Sequence, residues 1–152
     1  MRKILAAYDY VSRALESKVS EGVALLFLRV AFAGIFWRSG RTKVEEGSWI
    51  TISDTTATLF SEEYAGVPLP PEFAAVAATS AEHLFPILLV IGLATRLSAV
   101  ALLIMTLVIQ FFVYPDAWWP VHSLWVAMAL VLIARGGGLI SVDRWLTRGR
   151  HR

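Results

Sequence analysis

The sequence predicts an all-α fold: an integral membrane four-helix bundle, with an N-terminal amphipathic segment and a short helix in the first outer loop. Three observations predict it. Of 152 residues, 57% are hydrophobic and 17% charged, against about one quarter charged in soluble domains. Four apolar runs, at approximately 22–38, 72–94, 96–115 and 119–135, each come near the length that crosses about 30 Å of hydrocarbon. The basic residues cluster at the chain ends instead of along one stripe, which leaves a nucleic-acid partner without support and makes the lipid bilayer the expected surroundings of a single transmembrane domain.

The elements follow in order. "ILAAYDYVSRALESKV" carries apolar residues at helical spacing, and its charges stand where a signal peptide would need an apolar run, so it reads as a helix lying along the membrane surface. The first span, "GVALLFLRVAFAGIFW", leads into a long connection, 39–72. Within it "SDTTATLFSEEY" predicts a short amphipathic helix with its N-cap at Ser53 or Asp54. Pro70 and Pro71 suit the first turn of the second span. Ala94-Thr95-Arg96 is a tight turn, so the second and third spans form an antiparallel hairpin. Pro115, Asp116 and Pro120 bracket the next turn, Trp118 and Trp119 extend the fourth span into the interface, and Gly136-Gly137-Gly138 ends it.

Orientation follows from the cations. Arg2, Lys3, Arg13 and Lys18 precede the first span, Arg96 lies in the tight turn, and Arg135, Arg144, Arg148, Arg150 and Arg152 follow the last. Four spans put these regions on one side, so the positive-inside rule predicts that both termini are cytoplasmic. Arg38, Arg41 and Lys43 fall on the outer side, against the rule.

Polar residues inside the spans are the candidates for function. Arg29 lies near the middle of the first span, Glu82 and His83 near the middle of the second. A charge at that depth is costly and faces the bundle interior with a partner, which makes Arg29 with Glu82 the natural pair. Such a pair serves either as a structural tie between helices or in binding and proton movement. Ala74, Ala78 and Glu82 recur at four-residue spacing, a pattern that brings helix backbones close. Pro86 lacks an N–H and so frees the carbonyl of Glu82. A second group, Arg38, Gln110, Tyr114 and His122, falls in the outer half beside Trp37, Trp118 and Trp119. There are no cysteines, which removes thiolate ligands and disulfides. Haem is disfavoured because two imidazoles must meet at one depth, and His83 sits deeper than His122. A metal site from Glu82, His83 and His122 meets the same objection.

"FWRSGRTKV", "VPLPPEFAAVAA", "SAEHLFPILLVIGLATRLSA" and "GGGLISVDRWL" together resemble the DoxX family of small bacterial membrane proteins, over about 25–146. The resemblance implies a four-helix membrane bundle, related to a subunit of thiosulfate:quinone oxidoreductase, with Arg29, Arg38, Lys43, Glu82 and His83 at the family's polar positions. The expected function is a redox-associated inner-membrane subunit that binds a quinone or similar lipid-soluble carrier in the bundle. Arg29, Arg38, Gln110, Tyr114 and His122 are the candidates for holding it, and Glu82 and His83 for relaying its protons. The alternative is a non-catalytic membrane anchor that recruits a protein partner through the 39–72 loop, or assembles as a homo-oligomer.

Overall fold

A computed structural model describes residues 2–49 and 51–148. Arg150 and Arg152, counted above, lie outside the described residues, as do the side chains of Arg2 and Lys3. The helices are α1 (Arg2–Leu15), α2 (Lys18–Thr42), α3 (Asp54–Glu62), α4 (Pro71–Ile91), α5 (Thr95–Phe112), α6 (Ser123–Arg135) and α7 (Val142–Arg148).

Among the described residues four stretches are long and apolar enough to cross a membrane: α2, α4, α5, and Pro115–Arg135, which joins a 3₁₀ turn, a π-helical turn (Trp118–His122) and α6. Their 18 to 25 residues reach about 27 to 37 Å at 1.5 Å per residue, which matches the hydrocarbon thickness. The observed α2 is longer than the hydropathy suggests. It begins at Lys18, where the Ser17 hydroxyl caps Ser20 N–H, and runs on to Thr42. Ser53 caps α3 through Thr56 N–H, and Pro71 opens α4. Pro86 sits inside α4 without ending it.

In the bundle α2 packs on α4 and α6, and α5 packs on the same two helices from the other side. The core consists of Leu25, Phe32 and Phe36 from α2, with Leu89, Leu102 and Leu132 from the other three spans. Buried positions on α2 recur at Gly22, Leu25, Arg29, Phe32, Phe36 and Gly40, and Lys43, just past the helix, continues the stripe. That three-and-four spacing keeps one face of the helix toward its partners. Outward residues such as Phe27, Phe73, Ile104 and Leu124 are exposed and apolar, as lipid contact demands.

Both α1 and α7 lie at the end of the bundle where α2 begins: Asp143 N–H donates to the Gly92 carbonyl, and Gly22 lies against Leu139. This is termed the terminal end. The loop end carries the segment between α2 and α4, whose described residues make contacts of their own. Val44 bridges Ile52, Thr56 donates to the Lys43 carbonyl, and Phe60 of α3 packs on Ala74 and Ala75 of α4. The helix α1 turns Leu5, Tyr8, Val11 and Leu15 outward, the arrangement of a helix that rests on lipid rather than on a protein core.

Candidate functional site

The polar residues of the spans form three separate networks. The first is at the loop end. Lys43 Nζ lies 2.8 Å from Glu82 Oε2 and 3.0 Å from Oε1, and donates to Ser39 Oγ at 2.8 Å. Ser39 Oγ in turn donates to Glu82 Oε1 at 3.0 Å. Glu82 is 1% exposed and Lys43 5%, so both charges are withdrawn from water, where only close pairing makes them tolerable. Gly40 permits the approach of α2 to α4: a Cβ there would stand 3.0 Å from Glu82 Cβ and 3.0 Å from His83 Cε1.

His83 occupies the neighbouring face. Its Nδ1 is 2.7 Å from the Thr79 carbonyl oxygen. A carbonyl only accepts, so Nδ1 carries the hydrogen, and in the neutral imidazole Nε2 holds a lone pair. That Nε2 is buried and has no partner. The ring meets Trp37 edge-on at 5.3 Å, and Trp37 meets Trp49. Trp37 also lines an outward-facing apolar groove of about 360 Å³ between α2 and α4, with Val30, Ala33, Gly34, Pro86 and Val90.

The second network joins the ends of α5 and α6. Gln110 Nε2 donates to the Pro115 carbonyl at 2.6 Å, which fixes the amide so that Oε1 faces His122 Nδ1 at 2.7 Å. His122 is held by the π-helical turn and stacks edge-on against Trp125.

The third is Arg29, fully buried at the terminal end. Its Nη1 donates to the carbonyls of Leu89, at 3.1 Å, and Val90, and its Nη2 to that of Ile140. The C-terminal carbonyls of α4 carry the negative end of the helix dipole, which suits a guanidinium, and Leu89 shares its carbonyl with the N–H of the capping Gly92 at 3.1 Å. Gly92, at φ +72°, leaves room: a Cβ there would lie 2.1 Å from Arg29 Nη1.

Two expectations are corrected here. Arg29 does not pair with Glu82. Side chains lean toward the N-terminus of their own helix, and α2 and α4 are antiparallel, so Arg29 leans to the terminal end and Glu82 to the loop end. Leu89, which Arg29 reaches, is seven residues beyond Glu82 on α4, about 10 Å along the axis. Nor do Arg38, Gln110, Tyr114 and His122 form one group. Only Gln110 and His122 meet. Arg38 is exposed on α2, and Tyr114 donates its hydroxyl to Glu63 at the surface. That bond, with some burial, raises the Tyr114 phenol above its ordinary pKa.

Ser39 and Lys43 complete the site: Ser39 carries no mark in the sequence, and Lys43 stands out there only as one of the family's polar positions, outside the residues expected to hold the carrier or relay its protons. Hydropathy falls at Arg38, which predicts that the span ends before them. The signal was the buried stripe, which Lys43 extends by one further step from Gly40. Lys43 also explains one cation on the side the charge rule disfavours. Arg41 is a second, since it lies over the Trp49 ring at 5.2 Å and donates to the Ser48 carbonyl.

The fold and its buried polar centres define a polytopic α-helical membrane protein. Residues 24–115 match the DoxX family model, and the chain belongs to the DoxX family. The matched stretch takes in Arg29, Ser39, Lys43, Glu82 and His83 and stops before His122. A protein of Haemophilus influenzae, described as an uncharacterized protein, is 30% identical over 133 residues, 82% of this chain and 84% of that relative. No solved structure matches the chain.

Proposed function

We propose that the protein is a redox-associated subunit of the bacterial inner membrane that binds a quinone or similar lipid-soluble carrier at the α2–α4 face. The observation that carries this reading is the unpartnered, buried Nε2 of His83 behind Trp37, at the edge of the apolar groove and beside the Lys43–Glu82 pair. The residues fit such a group: the groove takes an isoprenoid-like tail, and aromatic rings flank the approach to polar atoms.

A bound quinone supplies two-electron, two-proton chemistry, with the electrons coming from a redox partner. The chain's own residues handle protons. Neutral His83 accepts a hydrogen bond from a hydroxyl at Nε2, and as imidazolium it donates one to a carbonyl oxygen. Glu82 holds or releases a proton within reach of Lys43 and Ser39, and Lys43 compensates its charge. In this reading Arg29 is a structural tie, and Arg38 and Tyr114 take no part in the site. Gln110 and His122 form a separate lock at the loop end.

The test is extraction of the gently purified protein with organic solvent, followed by chromatography for quinones. Quinone is expected near one per chain, and His83→Asn and Glu82→Gln are expected to lower its content at unchanged helix content. No quinone in the wild type, or the same content in all three proteins, overturns the reading. The rival reading, recruitment of a protein partner through the 39–72 loop, draws on Trp49, which is 63% exposed at the loop end. It predicts a copurifying protein that is lost on Trp49→Ala, with no bound carrier.

A further inference from the structure

At the terminal end, far from the groove, lies a cleft of about 820 Å³ between the starts of α2 and α5 and the glycine segment that follows α6. Four cationic side chains line it, Lys18, Arg96, Arg135 and Arg144, against two carboxylates, Glu21 and Asp143. Both carboxylates are already engaged. Asp143 accepts from Ala94 N–H at 2.7 Å and Thr95 N–H at 2.8 Å, closing the N-terminus of α5. Glu21 pairs with Arg135 at 3.0 Å. Arg96 donates to the Ala134 carbonyl. Lys18 and Arg144 have no carboxylate partner among the described residues.

A second observation is independent of charge. Thr95 also lines the cleft and is fully buried, yet its Oγ1 has no hydrogen-bond partner. A buried hydroxyl without a partner costs stability, so a ligand oxygen at this position would repair a defect of the free protein. Leucines complete the lining, and Leu97 continues onto the surface that faces lipid, where it is 64% exposed.

We propose that this cleft binds the phosphate head group of an anionic phospholipid, with its acyl chains leaving along Leu97. A basic recess between spans at the level of the head groups is suited to that chemistry. Thr95 Oγ1 donates to a phosphate oxygen, Lys18 and Arg144 supply the unspent charge, and Asp143 keeps the α5 N–H groups from competing for the ligand. The proposal does not depend on carrier binding at the other end.

The experiment uses the full chain in phosphatidylcholine nanodiscs, titrated with phosphatidylglycerol and read by native mass spectrometry for retained lipid. One phosphatidylglycerol is expected to be held in preference to phosphatidylcholine. Lys18→Ala with Arg144→Ala should weaken its retention roughly thirtyfold, as two cations near an anionic head group would. Thr95→Val should weaken it roughly tenfold while leaving the lipid-free protein as stable or more so, since it removes an unpartnered hydroxyl. A merely structural Thr95 would move stability and not retention. Equal retention of the two lipids, or wild-type retention in Thr95→Val, overturns the proposal. Displacement of the lipid by millimolar inorganic phosphate also overturns it, reassigning the cleft to the free ion.

Discussion

At the loop end the buried Glu82 is neutralised by the opposite charge of Lys43; at the terminal end the buried Arg29 donates only to backbone carbonyls. Both solutions satisfy a charge inside a membrane bundle, but they differ in what they permit. An arginine keeps its proton in proteins, and carbonyls cannot release one, so the Arg29 network can only hold helices. A carboxylate facing an ammonium and a hydroxyl can exchange protons, and the neighbouring imidazole can too. On the proposed reading the bundle holds a tie and a proton-handling centre, about 10 Å apart on one helix.

The largest effect expected from breaking this contrast is at Lys43. Lys43→Ala leaves Glu82 buried and without its countercharge, and should cost roughly 3–5 kcal/mol. Removing both charges as Lys43→Met with Glu82→Met should restore much of that loss, because well-packed apolar side chains replace a buried ion pair at little cost. Thermal unfolding in detergent, carried through the double-mutant cycle, gives the coupling. A double variant no more stable than Lys43→Ala would mean that the pair is not an energetic unit.

A smaller effect is expected at Arg29. Arg29→Met strips the carbonyls of Val90 and Ile140 of this donor and leaves Leu89 with the Gly92 N–H alone, a loss of roughly 2–3 kcal/mol. The decisive quantity is its coupling to Glu82. Networks that share no partner are additive within about 0.5 kcal/mol, so the Arg29–Glu82 cycle should show nothing while the Lys43–Glu82 cycle shows a large term. A coupling above about 1 kcal/mol between Arg29 and Glu82 would restore the mid-membrane pair that similar depth alone suggests.

That pair is a useful measure of what the sequence made legible. Hydropathy located all four spans, and local chemistry narrowed the α3 cap to Ser53 or Asp54 and the α4 start to Pro70 and Pro71, because each is a property of a few adjacent residues; Ser53 is the cap and Pro71 the first helical residue. Depth along a span is also local, but the direction in which a side chain leans is not visible until the helix direction is combined with it. The candidate site was half legible for the same reason. Glu82 and His83 stood out as polar residues in an apolar run, whereas Ser39 and Lys43 sat in "RSGRTKV", where polarity hid the continuing helix. The π-helical turn that presents His122 to Gln110 left no hydropathy signal.

The smallest effect is a spectroscopic one at Tyr64, which stacks on Phe60 at the loop end. Burial, with the negative charges of Glu82, Tyr114 and Glu63 behind it, pushes the phenol up to about 12. The folded state thus prefers the protonated phenol, so its contribution to stability is whole below the ordinary tyrosine value near 10 and is lost as pH rises from there through about 12. Absorbance at the tyrosinate band should show Tyr64 and Tyr114 titrating above the ordinary tyrosine value, and the late step at about 12 should disappear in Tyr64→Phe. Glu82→Gln removes one of the negative charges, so it should move that late step downward, whereas Arg29→Met should leave it in place. Equal responses to the two substitutions would mean that the ends of the bundle are electrostatically one site, and the division between tie and centre would fall with it.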